Sequence, residues 1–308
     1  MTRLAAIDVG TNSVRLYVAE TDRDGLHQLD RDLIITRLGR GVDETKRLGD
    51  EPVKRTLDAI RKYHDRAVEL GAERVRIAAT SAVRDATNRN AFFDGVRSGT
   101  GLEAEVLSGD GEARLSFLGA TSELSEGAPY LVLDIGGGST EFVVGDREPE
   151  VWVSMDIGSV RLTERHVRTD PPTTAEIEAV IADADAAVAA AKAIVGTGAR
   201  TLVGLSGTIT TMTAVALDLK GYDHEAIHHA RLSLEQVRSV ERRLTEMTTD
   251  ARRSLPAMPP GREDVIVAGS TILRRVMEGF GFDEVLVSEA DILDGLVLDM
   301  SRLGGSRP

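Results

Sequence analysis

Short apolar stretches alternate along the chain with segments whose apolar residues recur every three or four positions, which predicts strands interleaved with amphipathic helices. LAAIDV (4–9) reads as a buried strand and SVRLYVAE (13–20), with Leu16 and Val18 in alternation, as its return. DLIITRLGRG follows as a strand ending in a basic, glycine-flanked turn. Pro52 then opens a helix with apolar Val53, Leu57, Ile60 and Val68, closed by Gly71. The pattern predicts a strand over 74–79, a helix over 88–96, a strand over 103–107 and a helix over 112–124. In the second half a strand–turn–strand is followed by a long Ala-rich helix over 174–195, which reads as scaffold. A strand over 201–205 enters Ser206-Gly207-Thr208, where a helix opens at about 208. An amphipathic helix over 233–247 is capped by Ser233 with Gln236 three residues on. Residues 252–261, with Pro256, Pro259 and Pro260, read as a loop, and helices over 265–279 and 290–302 flank a strand over 284–287. Strands alternating with helices predict an α/β fold with a partly parallel, doubly wound sheet.

The pattern also repeats. Asp8-Val9-Gly10-Thr11-Asn12-Ser13 returns 126 residues later as Asp134-Ile135-Gly136-Gly137-Gly138-Ser139, each copy running from an apolar strand into an acid and a glycine-rich turn. The return strand of the second copy carries Phe142 and Val144 where the first carries Leu16 and Val18. Such turns can simply close β-hairpins. Two matched copies, each led by Asp, point instead to phosphate: glycines let backbone N–H groups approach it, and Ser and Thr hydroxyls add donors. An Asp at the end of a buried strand is placed to hold Mg²⁺ directly or through water. The polar segment Ser125-Glu126-Gly127-Ala128-Pro129 just ahead of the second copy marks a boundary. The expected domains are 1–125 and 126–289, facing each other across a cleft, with a C-terminal helix at about 290–308 packing back on the first. Gly304–Pro308 alone reads as disordered.

A length of 308 residues provides for two cores, and 42% hydrophobic with 28% charged residues is the balance of a soluble globular chain. With no cysteine, disulfides, thiolate metal sites and cysteine nucleophiles are excluded. No apolar run approaches the roughly 20 residues that span a bilayer, and Asp8 arrives too early for a signal peptide, so the expected location is cytoplasmic. A net charge of −13 argues against nucleic-acid or membrane partners. It also opposes a polyanionic substrate at long range, which a site can offset locally with Mg²⁺, N–H groups and arginines. The histidines carry no metal expectation. His228 and His229 are adjacent, so on a helix they diverge by about 100° and on a strand they face opposite sides. His27, His64, His166 and His224 have no partner at metal spacing.

IDVGTNSVRL (7–16), RLGRGV (37–42), ATSAVRDATN (79–88), SGDGEARLSFLG (108–119), LDIGGGSTEF (133–142), DIGSVRLTE (156–164), GLSGTITT (204–211), AGSTIL (268–273) and VSEADILDGL (287–296) carry a resemblance from end to end. On them the chain resembles the exopolyphosphatase / guanosine pentaphosphate phosphohydrolase (Ppx/GppA) family of the actin/sugar-kinase/Hsp70 superfamily. That implies two actin-like (ribonuclease H-like) α/β domains with an interdomain cleft. The chain departs from the family in two places. Where the family commonly has consecutive glutamates it has Gly111-Glu112, and it stops short of the helical extension many members carry.

The resemblance assigns Glu112 as the general base that takes a proton from the attacking water. Asp134 and Glu141 are the expected Mg²⁺ (or Mn²⁺) ligands, seven residues apart across a hairpin, with Asp8 contributing from the facing one. The expected phosphate clamp is Thr11, Asn12, Ser13 and Arg15, joined by Gly136, Gly137, Gly138 and Ser139 and by Ser206, Gly207 and Thr208. Arg84 joins it as a bidentate donor, with Arg37 and Arg40 extending a basic path. The implied reaction is hydrolysis of the terminal phosphate of inorganic polyphosphate, releasing orthophosphate. Guanosine pentaphosphate is the alternative substrate within the family. A small-molecule kinase of the same fold would need an acceptor site that no motif supplies, and the missing glutamate leaves room for a non-catalytic polyphosphate or nucleotide sensor. The family's common state is a homodimer.

Overall fold

The computed structural model describes residues 1–22 and 25–304. The chain divides into two units: Met1–Gly119 with the chain from Asp291 onward, and Ala120–Ala290. The boundary expected at 125/126 lies in the loop that follows the helix where this division falls.

Unit 1 contains β1 (Thr2–Val9), β2 (Ser13–Thr21), β3 (Leu26–Ile35), α1 (Val42–Thr45), α2 (Asp50–Glu69), β4 (Arg74–Ala79), α3 (Ser81–Asp85), α4 (Arg89–Thr100), β5 (Ala104–Val106) and α5 (Gly109–Thr121). Its sheet runs β3-β2-β1-β4-β5, with β1 antiparallel to β2 and parallel to β4. Period-two alternation explains why β1 is buried on both faces from Leu4 to Val9. Ala5, Ile7 and Val9 face a core shared with Ile60, Tyr63 and Phe92, while Leu4 and Ala6 face a second core with Leu115, Leu293 and Leu296.

Unit 2 contains β6 (Tyr130–Ile135), β7 (Thr140–Gly145), β8 (Pro149–Met155), α6 (Ser159–His166), α7 (Thr174–Val195), β9 (Thr201–Leu205), α8 (Ser206–Ala216), α9 (His224–Ile227), β10 (Arg231–Ser233), α10 (Leu234–Glu246), α11 (Thr249–Arg253), α12 (Ile266–Phe280) and β11 (Glu284–Val287). Its sheet, β8-β7-β6-β9-β11-β10, repeats the order of unit 1 and adds an edge strand. The doubly wound α/β architecture and the internal repeat are as the sequence predicts.

The last helix, α13 (Ile292–Gly304), packs on β1 and β2 in unit 1. Glycine lets it cross α5 closely: a Cβ on Gly119 would fall 1.8 Å from the Asp291 carbonyl oxygen, and one on Gly295 2.0 Å from that of Leu115. The expectations for residues 305–308, as helix or as disordered tail, lie outside the described residues.

Several elements differ from expectation. α2 begins at Asp50, so Pro52 sits inside its first turn, where its missing N–H costs no hydrogen bond. α5 begins at Gly109, three residues early, because Gly111 N–H donates to Ser108 Oγ (3.1 Å) and extends the helix backward. The loop expected over 252–261 starts later, since Thr248 caps the short helix α11. The capping box of Ser233 and Gln236 is present. Among the described residues no helix is long and apolar enough to cross a membrane.

Candidate active site

The two hairpins share one backbone plan. Gly10 N–H donates to Ser13 O (2.9 Å) and Gly136 N–H to Ser139 O (3.0 Å), so each strand turns through a closed four-residue loop. In each unit the chain after the third strand returns beneath that loop and donates into it. In unit 1 Gly39 N–H reaches Thr11 O (2.8 Å), and the N–H groups of Thr36 and Arg37 reach Asn12 O (3.0 and 2.9 Å). In unit 2 Ser159 N–H reaches Gly136 O (3.0 Å), and those of Val160 and Arg161 reach Gly137 O (2.9 and 3.0 Å). A planar trans peptide points its C=O and N–H in opposite directions. Carbonyls drawn under the loop therefore turn the N–H groups of Asn12 and Ser13, and of Gly137 and Gly138, the other way, as an anion-binding nest requires.

The register of the hairpins decides what faces each leading Asp. Asp8 pairs with Arg15 across β1 and β2, and Asp134 with Glu141 across β6 and β7. Arg15 donates to Asp8 Oδ2 through Nε (3.0 Å) and Nη2 (2.7 Å), and its Nη1 bonds Asp291 at the start of α13. Asp8 and Arg15, expected as metal ligand and phosphate clamp, thus bond each other, and Arg15 also bonds Asp291. In unit 2 two carboxylates stand side by side with exposures of only 6% and 1%. Asp134 accepts from the Ser206 hydroxyl, and Glu141 accepts from Ser154 Oγ (2.7 Å). Two buried carboxylates among hydroxyls are a hard-oxygen donor set, and their paired negative charge is what a divalent cation neutralises. The set therefore fits Mg²⁺ or Mn²⁺.

Glu112 is buried in the first turn of α5, and Arg84 of α3 donates to its Oε2 (2.9 Å) and to Leu107 O (3.1 Å). The pair holds the carboxylate in one orientation and offsets its charge. Gly111 is not dictated by packing: a Cβ there would meet Ser108 Oγ at 3.5 Å and Leu107 at 3.8 Å, ordinary contacts. Arg37 adopts φ 53 and lies half-buried, while Arg40 is exposed.

At the start of α8, Ser206 adopts φ 72, a left-handed conformation unusual for a non-glycine residue and often found at functional sites. Gly207 lets the Arg262 side chain lie close here. A Cβ on it would fall 1.5 Å from Arg262 Nη1, so that side chain would have to move aside. Arg262 stands in no motif of the sequence. Its signal was a single arginine following the turn residues Pro259-Pro260-Gly261, too common to single out.

The histidine pair needs correction. His229 adopts φ 60, so His228 and His229 do not diverge but stack, with ring centroids 3.7 Å apart, beside Glu123. The trio has metal-binding residue types, but its hydrogen bonds oppose that use. Glu289 N–H donates to His228 Nδ1 (3.1 Å), which puts the ring proton on Nε2, and Nε2 donates to Glu123 (2.9 Å). Burial and the neighbouring His228 lower the pKa of His229 and favour its neutral form.

A family model for the Ppx/GppA phosphatase family matches residues 17–303. The chain belongs to that family. Exopolyphosphatase 2 of Mycobacterium tuberculosis is 44% identical over 98% of this chain and 99% of its own. A crystal structure of an exopolyphosphatase-like protein superposes with a TM-score of 0.93 at 42% identity, covering 98% of this chain and 99% of that one. The guanosine-5'-triphosphate,3'-diphosphate pyrophosphatase of Photobacterium profundum is 27% identical over 96% of this chain and 59% of its own length. A Ppx/GppA phosphatase is a hydrolase, and paired phosphate-type loops with buried carboxylates suit that chemistry.

Proposed function

We propose that the chain is an exopolyphosphatase that removes the terminal phosphate of inorganic polyphosphate with Glu112 as general base. The observation that carries the reading is the buried, Arg84-oriented Glu112 in a chain 44% identical, end to end, to an exopolyphosphatase. In the proposed step water attacks the terminal phosphorus, its proton passes to the Glu112 carboxylate, and the bridging P–O bond breaks. Orthophosphate and a chain one phosphate shorter leave. Thr11, Asn12 and Ser13 with the N–H groups of their loop, Gly136–Ser139 with theirs, and Ser206–Thr208 with Arg262 bind phosphate oxygens. Asp134 and Glu141 would hold Mg²⁺ or Mn²⁺, which when bound would neutralise phosphate charge. Phosphoryl transfer asks the protein mainly for such positioning and charge compensation. Action in the cytoplasm is part of the same proposal.

Orthophosphate release from short polyphosphate, long polyphosphate and guanosine pentaphosphate, measured side by side with Mg²⁺, tests it. Polyphosphate turnover that falls about 10²- to 10⁴-fold in Glu112→Gln, the usual worth of a general base, is the expected result. Turnover of the nucleotide alone would transfer the assignment to a guanosine pentaphosphate phosphohydrolase. Binding of polyphosphate without release from any substrate would make the chain a sensor.

A further inference from the structure

The nest in unit 2 is shaped by a side chain as well as by backbone. Arg161, buried in the first turn of α6, donates its Nε to Gly138 O at 2.6 Å. In unit 1 the matching carbonyl, that of Asn12, is taken by the backbone N–H groups of Thr36 and Arg37. Beneath the same loop lies Gly158, where a Cβ would fall 2.5 Å from both C and O of Gly137 and 2.7 Å from N of Gly138. Nothing but hydrogen fits under that peptide. Gly158 itself is extended (φ −166, ψ 166), a conformation open to any residue, so the requirement is contact and not backbone strain.

We infer that Arg161 and Gly158 are positioning residues that set the phosphate affinity of the Gly136–Ser139 loop. The inference rests on the phosphohydrolase reading above. The Ser159 and Val160 amides, with that of Arg161, fix the peptides after Gly136 and Gly137; the Arg161 side chain fixes the one after Gly138. All three peptides are trans, since the cis bonds lie at Ala128–Pro129 and Asp170–Pro171. Each fixed carbonyl turns the following N–H outward, so Gly137, Gly138 and Ser139 present three successive donors. Without the Arg161 guanidinium the Gly138–Ser139 peptide, at the end of a run of three glycines, is free to turn and the third donor is lost. Gly158 sets how deep the loop sits. Neither residue needs to touch substrate.

The test compares wild type with Arg161→Met, Arg161→Lys and Gly158→Ala in tripolyphosphate hydrolysis, alongside thermal melts and calorimetric titration with tripolyphosphate. Losing one hydrogen bond to a charged ligand predicts a KM about tenfold higher in Arg161→Met with kcat within about twofold. The Arg161→Lys variant keeps a charged donor at this position and should recover most of the loss. Gly158→Ala should raise KM at least as much, and because its methyl meets backbone it should also lower the melting temperature, so the KM change is its deciding readout. A merely structural role predicts the opposite signature, a lower melting temperature and lower apparent kcat at unchanged KM, and that result overturns the inference. If Arg161→Met does not fold, Gly158→Ala decides by its KM. If wild type hydrolyses nothing, the phosphohydrolase reading fails on its own, and titration takes over: weaker tripolyphosphate binding by the variants sustains the positioning role. Equal affinities, or a wild type that does not bind, overturn it.

Discussion

Asp8 and Asp134 occupy the same place in two hairpins of the same backbone plan, and they face opposite partners. Position 15 is arginine and its counterpart 141 is glutamate. In unit 1 the leading carboxylate is neutralised within the fold, by a guanidinium that also ties Asp291 at the start of α13. In unit 2 the same geometry concentrates two buried carboxylates whose polar contacts include neutral hydroxyls. The Asp8–Arg15 pair of one hairpin thus serves as a clasp on Asp291, and the Asp134–Glu141 pair of the other has reason to take a cation. The lesson is that the DxG loop alone does not say which; the residue seven positions on does.

The sharpest way to break this comparison is to change the charge on each side. Glu141→Gln keeps shape and removes one of the paired charges. Phosphate release should fall roughly 100-fold at fixed Mg²⁺, since a metal ion typically supplies several kcal/mol of charge stabilisation, and a Mg²⁺ titration should move to higher concentration. Stability should hold or rise, because two like charges no longer share a buried site. Unchanged Mg²⁺ dependence would remove Glu141 from the metal set.

Arg15→Met is the converse. It takes the Arg15 guanidinium away from Asp8 and Asp291, both nearly buried, and breaking a buried pair this way costs on the order of 3 kcal/mol. Urea denaturation should show that loss, while the Mg²⁺ midpoint of the remaining folded enzyme stays where it was. A shifted midpoint at unchanged stability would mean that the Asp8–Arg15 pair acts in cation binding and not as a clasp.

Much of this was legible beforehand where local physics decides. The strands over 74–79, 201–205 and 284–287 and the helix over 174–195 have their predicted bounds, because apolar runs and caps fix them without tertiary help. The seven-residue spacing that placed Asp134 opposite Glu141 applies equally to Asp8 and Arg15. In a phosphate-type motif a basic residue reads as a ligand group, whereas Arg15 bonds Asp8 and Asp291. What stayed hidden depends on backbone detail or distant packing. The stacking of His228 and His229 follows from one positive φ. The place of Arg161 under Gly138 and of Arg262 over Gly207 follows from chain segments 23 and 55 residues away, for which single arginines leave no periodic mark.

A smaller contrast separates the two long helices that follow the third strands. α2 is preceded by Gly49 with no side-chain cap, whereas Thr173 and Glu176 close a capping box on α7. Hydrogen bonds from the Thr169 hydroxyl first, then the Thr173 N–H, hold Glu176 at a pKa of about 2, down from the ordinary 4.5. The folded value lies below the unfolded one, so this contribution is complete above about pH 4.5 and is lost as pH falls toward about 2. Urea midpoints measured between pH 5 and roughly 2.5 should therefore fall more steeply in wild type than in Glu176→Gln, the two converging at the acid end. Hydrogen exchange along α7, but not along α2, should carry the difference. Parallel slopes would mean that the box orders the Thr169–Thr173 turn without contributing to the stability of unit 2, and the two helices would then be equivalent in their response to acid.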